Sequence, residues 1–135
     1  MPAVSVVLPV HNRARLLQTA IDSVLNQTFV DYEVIVVDDG STEDLLADVP
    51  GLSHPKVRYF RQSNQGVAAA RNNAISRARG AALVFLDSDD AFMPQGLQLL
   101  LSLDFHIRKV RQQSRIPFCD QQLLAPPISG FTHGL

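Results

Sequence analysis

The sequence predicts an α/β fold: a mostly parallel sheet with helices on both faces. Three observations predict it. Short, continuous runs of β-branched and apolar residues, the mark of strands buried on both sides, recur through the first hundred residues. Segments with apolar residues at helical spacing lie between them. Polar and acidic clusters sit where the runs stop, at residues 9–12, 38–42 and 87–90. Alternation of this kind builds a parallel sheet, and such sheets bind ligands beyond the carboxyl ends of their strands.

The first run, Val4-Ser5-Val6-Val7-Leu8, is a strand expected to end at Pro9, which cannot donate to a ladder. Asn12 is expected to cap the helix that follows. That helix carries Leu17, Ala20, Ile21, Val24 and Leu25 on one face. A second strand spans residues 32–37 and stops at Asp38-Asp39-Gly40-Ser41-Thr42, a turn-forming cluster able to cap a short helix over 43–47. Pro50, Gly51 and Pro55 mark a loop, residues 57–60 a third strand, and Asn64-Gln65-Gly66 another break. An alanine-rich helix follows over 67–78. Val67, Ala70, Ala74 and Ala78 share its small-residue face, and Gly80 is expected to end it as a C′ glycine. Residues 81–86 form a fourth buried strand. Pro94 opens a last helix through residue 103.

The 135 residues fit one domain, and a chain of this length buries roughly two thirds of its unfolded surface. The net charge of −1 predicts no nucleic-acid partner and no attraction to an anionic membrane surface. The lone cysteine, Cys119, excludes an internal disulfide and suits a reducing compartment. No apolar run approaches the roughly 20 residues that span a bilayer. A cytoplasmic protein is expected, with docking at the inner face of the membrane through other chains left open.

Asp87-Ser88-Asp89 carries the most specific chemistry. In an extended segment, residues two apart point the same way, so both carboxylates would face one site. Hard oxygen donors of this kind suit Mn²⁺ or Mg²⁺, ions that share their coordination with substrate phosphates. The bland alternative is a solvated turn that merely ends the strand. Asp38 and Asp39 could hydrogen-bond a base or ribose, or simply cap the turn after Ser41. Arg71, early in the alanine-rich helix, could pair with phosphate or brace Asp39 or Asp89. A lone histidine such as His11 is more often a packing or surface residue. The backbone at Pro9 and Val10 could still meet a flat base.

Together these segments resemble the family 2 glycosyltransferases, which share the GT-A fold. The resemblance rests on residues 5–13 (SVVLPVHNR), 21–28 (IDSVLNQT), 33–42 (EVIVVDDGST), 66–72 (GVAAARN) and 86–90 (LDSDD), in the family's order and spacing. It covers about three quarters of the chain, residues 3–103. It implies a GT-A fold over residues 1–103. The donor would be a nucleotide diphosphate sugar, commonly UDP-linked. Its base would be held by Pro9, Val10, His11, Asn12 and Asp39, with Asp38 beside them. Arg71 would support the nucleotide pocket. Asp87, Ser88 and Asp89 would form the D-x-D motif, with Asp89 the direct ligand of Mn²⁺ or Mg²⁺. The implied reaction is sugar transfer to the hydroxyl of a saccharide or lipid-linked saccharide, with inversion, in cell-surface polysaccharide biosynthesis.

The chain departs from the family in one respect. Inversion by single displacement needs a general base downstream of D-x-D. The only carboxylates after Asp90 are Asp104 and Asp120. Asp104 follows the last helix too closely, and Asp120 is a weak candidate base. Residues 104–135 show no clear strand and no sustained period, and are expected to be irregular. The acceptor half of the fold is therefore expected to be incomplete, and the exposed sheet edge predicts self-association or marginal stability. The alternative function is a truncated, catalytically inactive nucleotide-sugar-binding module. A nucleotidyltransferase would want a glycine-rich basic loop after the first strand. A dinucleotide oxidoreductase would want G-x-G-x-x-G there. A phospho-acceptor receiver domain would place its acidic pair after that strand rather than the second.

Overall fold

The computed structural model of the chain describes residues 2–102 and 107–108. The elements run β1 (Val4–Val10), α1 (Ala14–Leu25), β2 (Tyr32–Asp39), α2 (Leu45–Asp48), a 3-10 turn (Pro50–Ser53), β3 (Val57–Gln62), α3 (Val67–Arg77), β4 (Ala82–Phe85), α4 (Gly96–Ser102) and β5 (Ile107–Arg108). The sheet order is β3-β2-β1-β4-β5. The first four strands are parallel to their neighbours, and β5 is antiparallel to β4. The expected mostly parallel sheet is what forms.

Helices cover both faces because the two faces of each strand carry different apolar sets. Val4, Val6, Leu8 and Val10 of β1, with Val34 and Val36 of β2, pack against Leu17, Ala20, Ile21 and Val24 of α1. On the other side Val7, Ile35, Val37, Leu83 and Phe85 meet Ala70, Ala74 and Ala78. That second layer is thin. Alanine lets α3 lie close to the sheet and brings its polar residues near the strand ends.

Several local expectations are corrected. Pro9 does not end β1. It sits in the strand opposite Val37. Ala82 N donates to Ala3 O and Leu86 N to Val7 O, so odd-numbered residues of β1 bond toward β4. Pro9 follows the last β1–β4 pair, Val7 with Phe85, so its missing N–H costs no rung. Asn12 does not cap α1. The cap position is Arg13, and no side chain bonds there. Val67 is 54% exposed and stands off the packed face of α3. Gly80 is not a C′ glycine. α3 is followed by Ala78 in extended conformation, and among the described residues the glycines with positive φ are Gly40 and Gly66. Gly80 is instead a point of close approach: a Cβ there would lie 2.6 Å from the backbone nitrogen of Ser5. α4 begins at Gly96 rather than Pro94. β2 and β3 each extend two residues past expectation. β5 lies where the sequence offers no clear strand, because two residues are too few to carry a period.

Candidate functional site

The strand order reverses at β1: β2 and β3 lie on one side of it, β4 on the other. Ligand crevices form at such reversals, outside the carboxyl ends of the strands. The loops after β1, β2, β3 and β4 meet there.

The loops after β1 and β2 are tied together. His11 Nδ1 lies 2.9 Å from the Asp39 carbonyl, and Asn12 N donates to Ser41 Oγ at 2.7 Å. Asn12 Oδ1 accepts from Thr42 N, Thr42 Oγ1 and Glu43 N. Arg13 N donates to Glu43 Oε2 at 2.8 Å. Asn12 and Arg13 both adopt positive φ, 59° and 63°, uncommon for residues with side chains. The expected role of Asn12 is thus corrected: its amide caps the loop after β2, not the helix after β1. Pro9 and Val10 are buried in β1, and the Val10 side chain belongs to the core, which leaves their backbone to the crevice.

Asp38 and Asp39 alternate along β2 and part company. Asp38 is fully buried. Its carboxylate accepts from Ser41 N, Tyr59 OH and Arg61 Nη1. Burial alone would raise its pKa, but Ser41, Tyr59 and Arg61 together hold it below the usual range. Desolvation and the neighbouring Asp38 in turn push the Tyr59 phenol up to about 12. Asp38 thereby serves the turn itself.

Asp39, 4% exposed, is roofed by the loop after β3. Its Oδ1 accepts from Gln62 Nε2 at 2.9 Å and Gln65 N at 2.8 Å, and its Oδ2 from Gly66 N at 3.0 Å. Asn64 Nδ2 donates to the Asp39 carbonyl at 3.0 Å. Burial again raises the pKa, and the hydrogen bonds from Gln62, Gln65 and Gly66, with His11, pull it below the ordinary value. Gly40 makes the roof fit. Its φ is +72°, and a Cβ there would lie 2.7 Å from the backbone nitrogen of Asn64.

The acidic loop after β4 is a turn, not the extended segment expected from D-x-D alternation. Asp90 N donates to the Asp87 carbonyl at 3.0 Å, closing residues 87–90. The turn gathers one more carboxylate than alternation predicts. Oxygens of Asp87, Asp89 and Asp90 lie within 4.8 Å of one another. Ser88 is half-buried within the same turn. Three hard oxygen donors on a partly exposed turn suit Mg²⁺ or Mn²⁺, which keep several waters. Arg71 Nη2 pairs with Asp87 Oδ1, so the arginine braces Asp87 rather than Asp39 or Asp89. Arg13 Nη1 reaches Asp89 Oδ2 at 3.4 Å. Behind the turn, Gln27 Nε2 bonds the Met93 carbonyl and its Oε1 accepts from Leu97 N, fixing the exit segment on α1.

The structure therefore brings His11, Asn12, Asp39, Arg71, Asp87, Ser88 and Asp89 to one end of the sheet. Sequence reasoning missed Asn64, Gln65 and Gly66 as partners of Asp39, and Arg13 as a partner of Asp89. The break at Asn64-Gln65-Gly66 just before a helix was the available signal for the first. Arg13 had none beyond its place after β1. The candidate base Asp120, and Asp104, lie outside the described residues.

Comparison with known proteins agrees with this geometry. The sequence profile of "Glycosyl transferase family 2" matches residues 5–114. An uncharacterized glycosyltransferase of Rickettsia bellii is 46% identical over 99 residues, 73% of this chain and 14% of that protein. S. aureus TarS 1-349 in complex with UDP-GlcNAc superposes with a TM-score of 0.68 at 29% identity, over 73% of this chain and 30% of that one. The mannosyltransferase PcManGT from Pyrobaculum calidifontis, in complex with GDP-Man and Mn²⁺, gives a TM-score of 0.65 at 29% identity, over 71% and 30%. The chain spans about one-seventh of the length of the first curated relatives it matches. With the profile match covering most of the chain and the fold shared, the chain belongs to glycosyl transferase family 2.

Proposed function

We propose that this chain holds the sugar donor of a metal-dependent, inverting glycosyltransferase, and that the donor is a nucleotide diphosphate sugar carrying uridine. The observation that carries the reading is the convergence of Asp39 with the Arg71-braced turn 87–90 at the strand-order reversal. Bound UDP-GlcNAc in TarS and bound GDP-Man with Mn²⁺ in PcManGT support a nucleotide-sugar donor and a divalent ion.

Asp87, Asp89 and Asp90 would hold Mn²⁺ or Mg²⁺, with Asp89 the principal ligand because Asp87 is shared with Arg71. Such an ion supplies Lewis-acid neutralisation of a diphosphate leaving group. Arg71 holds Asp87 at the site through their ion pair. The rim beside Asp39 and the backbone at Pro9 and Val10 would receive the base, and His11 orders the same rim through the Asp39 carbonyl. Residues 1–103 form the donor domain, and β5 at Ile107–Arg108 adds to its sheet beyond that boundary. The acceptor is a saccharide or lipid-linked saccharide hydroxyl. Asp120 is the candidate general base. The setting is cytoplasmic, at the inner membrane face, in cell-surface polysaccharide synthesis. No helix among the described residues is long and apolar enough to cross a membrane.

Calorimetry with UDP-N-acetylglucosamine tests the reading. Binding heat should appear with Mn²⁺, vanish without it, and vanish in Asp89→Ala. Equal affinity in Asp89→Ala with saturating Mn²⁺ would refute it. Binding without sugar transfer or donor hydrolysis would identify the chain as a binding module rather than an enzyme.

A further inference from the structure

Arg13 is held in place by features that its exposed position does not call for. It is the second of two consecutive residues with positive φ. Its backbone N–H is taken by Glu43 Oε2, and Asn12 before it is pinned by Ser41, Thr42 and Glu43. Backbone in this region persists only where surrounding structure over-determines it, and it concentrates at functional sites. The result projects the Arg13 guanidinium from the start of α1 to the acidic turn after β4, 76 residues away, where Nη1 lies 3.4 Å from Asp89 Oδ2. Both side chains are more than half exposed, at 58% and 51%, so the pair is weak and exchangeable.

We propose that Arg13 is a displaceable counter-ion. It occupies Asp89 while the cation site is empty and moves to the donor's diphosphate once a divalent ion is bound. The inference rests on the metal reading of the acidic turn given above.

Formal charge explains the exchange. Summed over these five groups, Asp87, Asp89 and Asp90 carry −3 and Arg71 with Arg13 carries +2, a total of −1 before an ion enters. A divalent ion on the same carboxylates brings that sum to +1 and repels the Arg13 guanidinium. A diphosphate carrying −2 restores −1 and offers oxygens beside the vacated guanidinium. Without Arg13 the same steps run −2, 0, −2. The arginine thus opposes cation entry and favours donor entry. It links the two so that the anionic donor is attracted to the cation-loaded site rather than the empty one. A guanidinium suits the second role because its fork matches phosphate oxygens.

The test uses the full chain and two titrations: Mn²⁺ alone, and UDP at saturating Mn²⁺, both by calorimetry. Arg13→Gln should bind Mn²⁺ about 2- to 5-fold more tightly, the scale of an exposed ion pair. It should bind UDP about 5- to 20-fold more weakly, the scale of one charge-assisted contact at an open site. Arg13→Lys, which keeps the charge, should stay within about twofold of the parent for Mn²⁺. Opposite signs in the two titrations are required, and a purely structural role would move both constants the same way or neither. A variant that leaves either constant unchanged overturns the proposal while the metal reading stands. A parent chain that takes up no Mn²⁺ overturns both, and Asp89→Ala then titrates like the parent.

Discussion

Gly80→Ala should be severely destabilising although it adds one methyl group far from the crevice. A Cβ at Gly80 would lie 2.6 Å from Ser5 N, 2.7 Å from Ser5 Oγ and 2.7 Å from Val4 C. Ordinary Cβ contacts begin near 3.4 Å, so α3's exit and β1 must separate by about 0.8 Å, the difference from 2.6 Å. β1 is a central strand paired on both sides and cannot yield cheaply. The same spot holds a buried polar network. Gly80 N donates to Ser5 Oγ at 2.8 Å, Ser5 Oγ donates to Glu33 Oε2 at 2.6 Å, and Arg79 N donates to the same oxygen. Overpacking costs about 1–3 kcal/mol, and a stretched hydrogen bond adds about 1 kcal/mol. Reduced freedom of the unfolded chain returns about 0.5 kcal/mol. The expected net loss is about 1.5–3.5 kcal/mol, or about 5–15 °C in Tm for a domain of this size. Urea unfolding followed by circular dichroism measures it. Ser5→Ala in the same background should recover little, because two of the three close contacts are backbone. A Gly80→Ala variant within about 0.5 kcal/mol of the parent would refute the close-approach account.

Three more outcomes are expected. Glu33, Asp38 and Asp39 all have folded pKa values below their ordinary ones of 4.5, 3.8 and 3.8, so the stability they add is complete above about pH 5 and is lost as pH falls through the lowered values; urea midpoints should decline from pH 6 to pH 3, and Asp38→Asn should flatten that decline. Tyr59 should ionise near 12, later than free tyrosine, and Asp38→Asn should bring that absorbance transition down. Gln27→Leu should cost about 1–3 kcal/mol in urea unfolding, because it leaves the buried Leu97 amide without its acceptor, while the Met93 carbonyl keeps the Gly96 amide; a loss below about 0.5 kcal/mol would show that the exit segment is held by other contacts.

The architecture was legible in the sequence because burial on both faces writes itself as unbroken apolar runs. Val4 to Leu8 and Tyr32 to Val37 could hardly be anything but central strands. The acidic residues could be assigned to strand ends for the same reason, since a run must stop before charge can appear. Partners across loops were not legible. That Asp39 is capped by Gln65 and Gly66, or that Arg71 meets Asp87 rather than Asp89, depends on turns whose geometry has no period. Pro9 and Gly80 were misread for a related reason. A residue's local habit suggested a terminus in each case, whereas its neighbours across the sheet decided its use. Proline is tolerated on a side where no rung is needed, and glycine is required where another strand's backbone passes close by.

Pro9 has a consequence for the depth of the crevice. After Leu86 N bonds Val7 O, the next rung of the β1–β4 ladder would run from the amide of residue 9 to the Leu86 carbonyl. With no amide hydrogen at that point, the two strands cannot zip further, and β4 is released into the acidic turn. The ladder therefore ends at a residue whose ring removes the donor. Replacing Pro9 with valine would restore the missing donor and let the seam gain one rung.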